Sequence, residues 1–255
     1  MSVLAQLTAA LGDLVDTRVA ALEEARADRS GHAADGRPLA IVHAETVAHV
    51  QETMRIATAT RTPVVVRGAG TGLAGAANAG EGEIVLSTAR MTAVLEVRPD
   101  DLLAVVEPGI LNADLNRLLA EHGVWWAPDP ASREISTVGG NIATGAGGLL
   151  CAKYGVVRDA VLGVDLVLAD GRLLRPGHRS VTGVTGLALP SLVIGSEGTL
   201  GVVLGATPTP RRRVGGAVCT IAGTFPHVRR AATAQHAIRA TRTSTLRVRN
   251  HAPRI

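Results

Sequence analysis

Three clusters of glycine, each beside an apolar run, are the chemistry-bearing feature of this chain. The first reads Arg67-Gly68-Ala69-Gly70-Thr71-Gly72-Leu73-Ala74-Gly75. The second reads Ser136-Thr137-Val138-Gly139-Gly140-Asn141-Ile142-Ala143-Thr144-Gly145-Ala146-Gly147-Gly148, and the third Gly195-Ser196-Glu197-Gly198-Thr199-Leu200-Gly201. Without a Cβ, backbone can approach a ligand closely and reach positive φ, so successive amide N–H groups can converge on an anion. A plain turn explains one such loop. Three in one domain, each next to a strand, point to a long, folded ligand with a phosphate core.

The first cluster contains a literal GxGxxG at Gly70, Gly72 and Gly75, directly after an apolar run. A dinucleotide-binding loop of the Rossmann kind must open a helix. Here only residues 76–83 precede the next strand, and Asn78, Gly80 and Gly82 fall among them. A helical crossover between parallel strands needs about a dozen residues or more. Glu96 stands about where the ribose-binding acid would be, but a strand intervenes in the wrong place. The loop can still cradle a pyrophosphate through its amides, with Arg67 as a counter-charge. In the second cluster, Ser136, Thr137, Asn141 and Thr144 set short polar side chains beside exposed backbone. Such groups suit a flat heterocycle rich in N–H and C=O, such as an isoalloxazine. Taken alone, this cluster fits a self-satisfied polar loop equally well.

The elements that must position these loops read as α/β. Residues 1–29 predict an amphipathic helix and residues 28–38 a polar linker. A short strand at Ile41-Val42 leads to a helix over 46–60, with Val47, Val50, Met54 and Ala57 on one face. Pro63 ends it, and 64–66 reads as a buried strand. Strands follow at 84–86 and 94–97; the turn 99–101 and the strand 102–107 complete a hairpin. Residues 113–122 form a helix ending at Gly123. Residues 128–155 show little regular periodicity. Strands at 161–169 and 172–174 flank the turn Asp170-Gly171. The loop-rich stretch 182–201 leads into a strand over 202–207. A new unit starts near Gly215, with a strand over 217–221 and a helix over 227–239. No internal repeat is visible.

With 255 residues, 46% apolar and 19% charged, the chain can bury a core as one large domain or two small ones. No apolar run approaches the roughly 20 residues of a membrane span. The N-terminal stretch lacks the basic start of a signal peptide, so the expected location is cytoplasmic, with no transmembrane segment. Cys151 and Cys219 are too few for a disulfide framework and lack partners at zinc-ligand spacing. Both read as ordinary thiols, and no metal is expected. A net charge of +4 suggests a nucleic-acid partner. Its basic residues, however, cluster at Arg211-Arg212-Arg213 and over 229–254, with only Phe225, Tyr154, Trp125 and Trp126 to stack on bases. Lys153 is the sole lysine, so the arginine bias reflects genomic base composition, and no nucleic acid is expected.

Three strings now take on meaning by their order and spacing: PVVVRGAGTGLAGAA, PDPASREISTVGGNIATGAGGLLCAKYGVVRDAVLGVDLVLADGRLLRPG and GSEGTLGVV. Over roughly residues 38–210 they resemble the FAD-binding domain of the vanillyl-alcohol oxidase/PCMH flavoprotein superfamily, in the branch of the glycolate oxidase subunit and D-lactate dehydrogenase. The resemblance implies a PCMH-type fold of two α/β subdomains with FAD between them. It divides the chain into an N-terminal helix and linker (1–37), an FAD-binding domain (38–214) and the start of a truncated substrate or cap domain (215–255). It implies that Arg67, Gly68, Ala69, Gly70, Thr71, Gly72 and Leu73 form the pyrophosphate loop. Pro128, Asp129 and Ser132 would line the ribityl chain and flavin, with Ser136, Thr137, Gly139, Gly140, Asn141, Ala143, Thr144 and Gly147. Tyr154, Gly155, Glu197, Gly198, Gly201 and Val202 would close over the cofactor. The implied reaction is oxidation of a small 2-hydroxy acid, with electrons passed on to an acceptor.

The chain departs from that pattern in three places. Relatives with covalent FAD often carry a histidine in the first loop; here it reads Gly68-Ala69-Gly70-Thr71, so FAD is expected to bind non-covalently. Gly186-Leu187-Ala188-Leu189 stands where the family reads something like GYDL, so two polar side chains are gone. The His-rich C-terminal motif of the branch is absent, and Arg247, Arg249, Asn250 and His251 stand where an apolar strand is expected. The histidines at 32, 43, 49, 122, 178, 227, 236 and 251 all lie outside the glycine clusters, so no catalytic base is assigned. The leading expectation is a fragment of an FAD-dependent 2-hydroxy-acid dehydrogenase. A non-catalytic flavin-binding subunit that needs a partner chain for the substrate site is the second, and a decayed chain that binds nothing tightly the third.

Overall fold

The computed structural model describes residues 1–180, 182–213, 215 and 223–240. The sequence-predicted N-terminal helix is instead two short ones. Ser2 caps α1 (Val3–Leu11) by accepting from the Ala5 amide, and Gly12 ends it at φ 55°. A short strand β1 (Val15–Asp16) follows, then α2 (Val19–Glu24). Helical periodicity in the sequence hid this break, because Val15 and Asp16 satisfy their backbone against β2 (Ala40–His43), in register with Val42 and Ile41. Thr46 caps α3 (Val47–Thr60), which buries Val50, Met54, Ile56 and Ala57; Arg61 closes it in the left-handed region ahead of Pro63.

β3 (Val64–Arg67) and β2 both run parallel to β4 (Ile84–Ser87), which lies between them, so the first sheet has the order β1-β2-β4-β3. Being an edge strand, β3 is half-buried rather than buried. The crossover from β3 to β4 is the helix-free loop 68–83. It meets the length a parallel connection requires by going without a helix, which removes the Rossmann reading of the GxGxxG.

The rest of the chain builds a second layer. β5 (Val94–Arg98) and β6 (Leu103–Val106) form the expected hairpin. They are followed by α4 (Asn112–Glu121), β7 (Val124–Trp125), α5 (Val138–Ala143) and α6 (Cys151–Tyr154). Next come β8 (Val161–Val167), β9 (Leu173–Leu174), α7 (Leu189–Val193) and β10 (Val202–Pro208). The described elements end with β11 (Arg211–Arg212), paired with β7, and α8 (Val228–Ala240). The expected strand over 217–221, Cys219 and the arginines near the C-terminus lie outside the described residues. The second sheet, ordered β5-β6-β10-β8-β9, is antiparallel throughout.

One core packs beneath this sheet around Leu115, Leu119, Trp126, Ile142 and Val164, with the Trp126 indole donating to the Ala160 carbonyl at 2.9 Å. A second joins Leu7, Val50, Ile84 and Leu86 to Val167, Val202 and Leu204, and a third, smaller one holds Leu22, Ile41, Ala79 and Val85. The ends of β8 and β10 therefore share the first subdomain's core, which fixes the two subdomains against each other. No helix among the described residues is long and apolar enough to cross a membrane.

Candidate functional site

The first glycine loop presents unpaired amides. Among the described residues, no protein acceptor faces a backbone N–H from 68 to 74. The donors resume at Gly75, whose amide reaches the Asp28 carboxylate at 3.0 Å. Half-exposed N–H groups in such a run are ready donors to an anion. Arg67, at the end of β3, has its guanidinium against Gly70 and donates to the carbonyls of Ala77 at 2.7 Å and Ala27 at 2.9 Å. Burial lowers its pKa from the usual arginine value, against the opposing charges of Glu24 and Asp28. The predicted counter-charge is thus built into the wall of the loop. A Cβ on Gly70, at φ 64°, would strike that guanidinium.

The second and third clusters close on the first. Thr137 caps α5, its hydroxyl accepting from the Gly140 amide at 3.1 Å, and a Cβ on Gly68 would collide with the same Thr137 hydroxyl. The sequence read this stretch as irregular because glycines at 139 and 140 depress helix propensity. Tertiary contact holds the turn instead: Gly139 sits against Pro108 and donates to its carbonyl at 2.7 Å. From the other side, Gly195 donates to the Ile142 carbonyl and Glu197 to that of Ala143, at 3.0 and 2.8 Å. Gly198 lies against Val66 of β3. Glu197 at φ 52° and Gly198 at φ 83° turn the third loop sharply before Val202 starts β10. Strain at a non-glycine residue is characteristic of functional loops.

Two polar atoms at this junction have no partner. Ser136 and Asn141 are each only 2% exposed, yet Ser136 Oγ and Asn141 Nδ2 make no hydrogen bond among the described residues. Buried polar groups are nearly always satisfied, and each exception calls for an explanation. Thr144, by contrast, spends its hydroxyl on the Gly140 carbonyl.

Of the other sequence-predicted residues, Pro128, Asp129 and Tyr154 line a cleft of about 460 Å³ together with Asn116, Trp125 and Arg213, while Ser132, Gly147 and Gly155 lie outside its lining. Asp129 accepts from the Leu150 amide at 2.9 Å, and Gly148 packs on it. The Ser132 carbonyl takes the amides of Ile135 and Ser136. Tyr154 stands edge-on to Trp125 with ring centroids 5.0 Å apart, while Arg211 lies over its ring and donates to its carbonyl. Gly155, at φ 86°, turns against Asp159. Nothing described links Tyr154 and Gly155 directly to the first loop, so the sequence-predicted set does not gather at the three-loop junction alone. Gly147 has open space around it. Cys151 accepts from the Gly148 amide. Among the described residues no cluster of His, Cys, Asp and Glu could hold a metal.

The sequence reading missed the back of the first loop, where Asp28 and Asn78 meet. Asp28 was read as linker, though an Asp-Arg-Ser-Gly stretch carries the signal of a side chain that bonds its own backbone. Burial alone would raise the Asp28 pKa; donors from Ser30, Gly75 and Ala77 outweigh it and hold the carboxyl below its usual value.

Residues 38–177 match the FAD binding domain family. Glycolate oxidase subunit GlcD of Bacillus subtilis is 40% identical over 166 residues, which cover 65% of this chain and 35% of that protein. A D-lactate dehydrogenase of Archaeoglobus fulgidus is 45% identical over 145 residues, covering 57% of this chain and 32% of that one. A D-2-hydroxyglutarate dehydrogenase of Stutzerimonas stutzeri is 37% identical over 187 residues, covering 73% and 40%. The chain thus spans about a third to two-fifths of the length of these relatives. Among solved structures, an alkyldihydroxyacetonephosphate synthase shares the fold, with a TM-score of 0.78 over 94% of this chain and 45% of that one at 23% identity.

Proposed function

Because the chain belongs to the FAD binding domain family, we propose that it is the flavin-binding part of an FAD-dependent oxidoreductase acting on a small 2-hydroxy acid. The observation that carries this reading is the run of unpaired amides from 68 to 74 beside the orphaned Ser136 Oγ and Asn141 Nδ2. FAD fits both: its pyrophosphate suits the amides, and its ring edge carries partners for a buried hydroxyl and amide. On this reading the amides of residues 68–73 bind the pyrophosphate. Ser136 and Asn141 orient the heterocycle, with Gly139 and Gly140 holding the turn that carries Asn141. Glu197, Gly198, Gly201 and Val202 shut the third loop over it, and Pro128, Asp129, Ser132 and Tyr154 line the approach. Residues 38–214 form the flavin-binding unit. When bound, FAD supplies the electron sink for hydride from the hydroxyl-bearing carbon.

The chain's own contribution is binding, orientation and exclusion of water by the apolar floor under α5. No histidine lies in the three loops, so the base for the hydroxyl proton and the cation for the carboxylate are assigned to sequence that the relatives have beyond the matched stretch, in one polypeptide or in a partner chain. The first loop also lacks a side chain suited to a flavin linkage, which makes the cofactor non-covalent. The purified protein should carry FAD, or take it up on addition, and acid precipitation should release the yellow chromophore into the supernatant. Flavin retained in the pellet would overturn the non-covalent mode, and failure to bind FAD at all would overturn the functional reading.

A further inference from the structure

We propose that Asp28 and Asn78 are positioning residues: they clamp the stretch 25–36 against the back of the first glycine loop and so preset its free amides for a pyrophosphate. The inference rests on the FAD reading above. The two stretches run together without forming a sheet. Asp28 accepts from the Gly75 amide at 3.0 Å and the Ser30 amide at 2.8 Å. Its own N–H donates to Asn78 Oδ1 at 2.5 Å, and Asn78 Nδ2 donates to the His32 carbonyl at 2.8 Å. Backbone bonds extend the clamp on both sides: Arg29 donates to Gly72, Ala79 to Ala25 and Glu81 to Asp35, at 2.9, 3.0 and 2.9 Å. The stretches approach closely enough that a Cβ on Gly80 would lie 2.7 Å from the Asp35 carbonyl oxygen.

Asp28, whose carboxylate lies against Gly72, draws on the amides of Gly75 and Ala77 and leaves those of 68–74 free. Arg67 ties the same two stretches through the carbonyls of Ala27 and Ala77, and its charge opposes that of Asp28. A loop with glycines at 68, 70, 72 and 75 samples many conformations when unrestrained. Ordering it on binding would subtract from affinity; ordering it beforehand does not. Asp28 lies outside the matched family region, which begins at residue 38, so the clamp adds to the family domain from the preceding segment.

The test is FAD titration of the full chain carrying Asp28→Ala or Asn78→Ala, with thermal unfolding of each apo-protein. Gln51→Ala serves as control: Gln51 donates to the Gly171 carbonyl at 2.7 Å, tying α3 to the turn after β8, and takes no part in the clamp. The clamp predicts that each loop variant raises the FAD Kd about tenfold or more, through lost preorganisation, while the control loses stability but keeps its Kd within about twofold. If Asp28→Ala fails to fold, Asn78→Ala alone decides. Unchanged Kd in the folded loop variants would overturn the clamp, as would an equal rise in the control. Wild-type protein that binds no FAD would overturn the functional reading itself, a separate result from either.

Discussion

Single atoms decide how the three loops meet. A Cβ on Gly70 faces two obstacles at once: positive φ and the guanidinium of Arg67, which is held in place by two carbonyls. Gly171 also has positive φ, at 82°, but its missing Cβ faces Arg55 Cγ at 2.8 Å and the Gln51 carbonyl at 3.0 Å, both on α3. Gly70→Val should therefore strip the protein of FAD, while Gly171→Val should cost about 1–3 kcal/mol of stability and keep the cofactor. The ratio of flavin to protein absorbance in each purified variant, with an unfolding curve, checks both. Equal occupancy in wild type and Gly70→Val would undo the loop assignment. The need for glycine at these positions was legible in the sequence, since residue type alone states which backbone can bend or approach. The partners were not. Asp28 and Gly75 are bonded across 47 residues of chain, and no local pattern reports such a pairing.

Among the elements, α5 is the joint of the site. It has six residues, two of them glycine, and no intrinsic reason to be helical. Thr137 at its start and the Pro108 contact at its second residue hold it in place, and the third loop hangs from its last carbonyls. Thr137→Ala should cost about 1 kcal/mol by loss of the cap, whereas Thr137→Ser should restore it; chemical unfolding of the apo-proteins reads the difference. Equal stability of all three would mean that the cap contributes nothing. Elements with strong periodicity, such as α3, α4 and the β5–β6 hairpin, were visible in the sequence because one face of each is apolar. The break of the first helix at Gly12 and α5 itself were not, because tertiary contacts override local preference at each; the lack of a helix between β3 and β4 was legible from the short, glycine-rich stretch 76–83.

At the scale of the molecule, two sheets share a core at the ends of β8 and β10, and the loops converge beside that seam. Sequence patterning showed an α/β chain but not this seam, which depends on Val167 and Val202 packing with residues over a hundred positions away. Near the third loop, apolar side chains stand in solvent: Val184 is 93% exposed, Leu187 86% and Leu192 64%. Leu187 and Ala188 stand where the family resemblance leads one to expect two polar residues. The relatives have roughly 60% or more of their length beyond the matched stretch. Hydride transfer requires the substrate carbon within about 3–3.5 Å of the flavin and correctly aligned, together with a base for the hydroxyl proton. On the proposed reading the three loops hold and orient the electron sink, but they carry neither a histidine base nor a carboxylate-binding arginine, since Arg67 is committed to backbone carbonyls. The 255-residue chain, loaded with FAD and mixed anaerobically with glycolate, D-lactate, L-lactate or D-2-hydroxyglutarate, should therefore bleach slowly or not at all. The same mixture should bleach rapidly once the polypeptide corresponding to the rest of a relative is supplied. Rapid bleaching by the chain alone would show that its residues already form a complete substrate site, and the division of labour between flavin-binding loops and a separate substrate-holding region would fall.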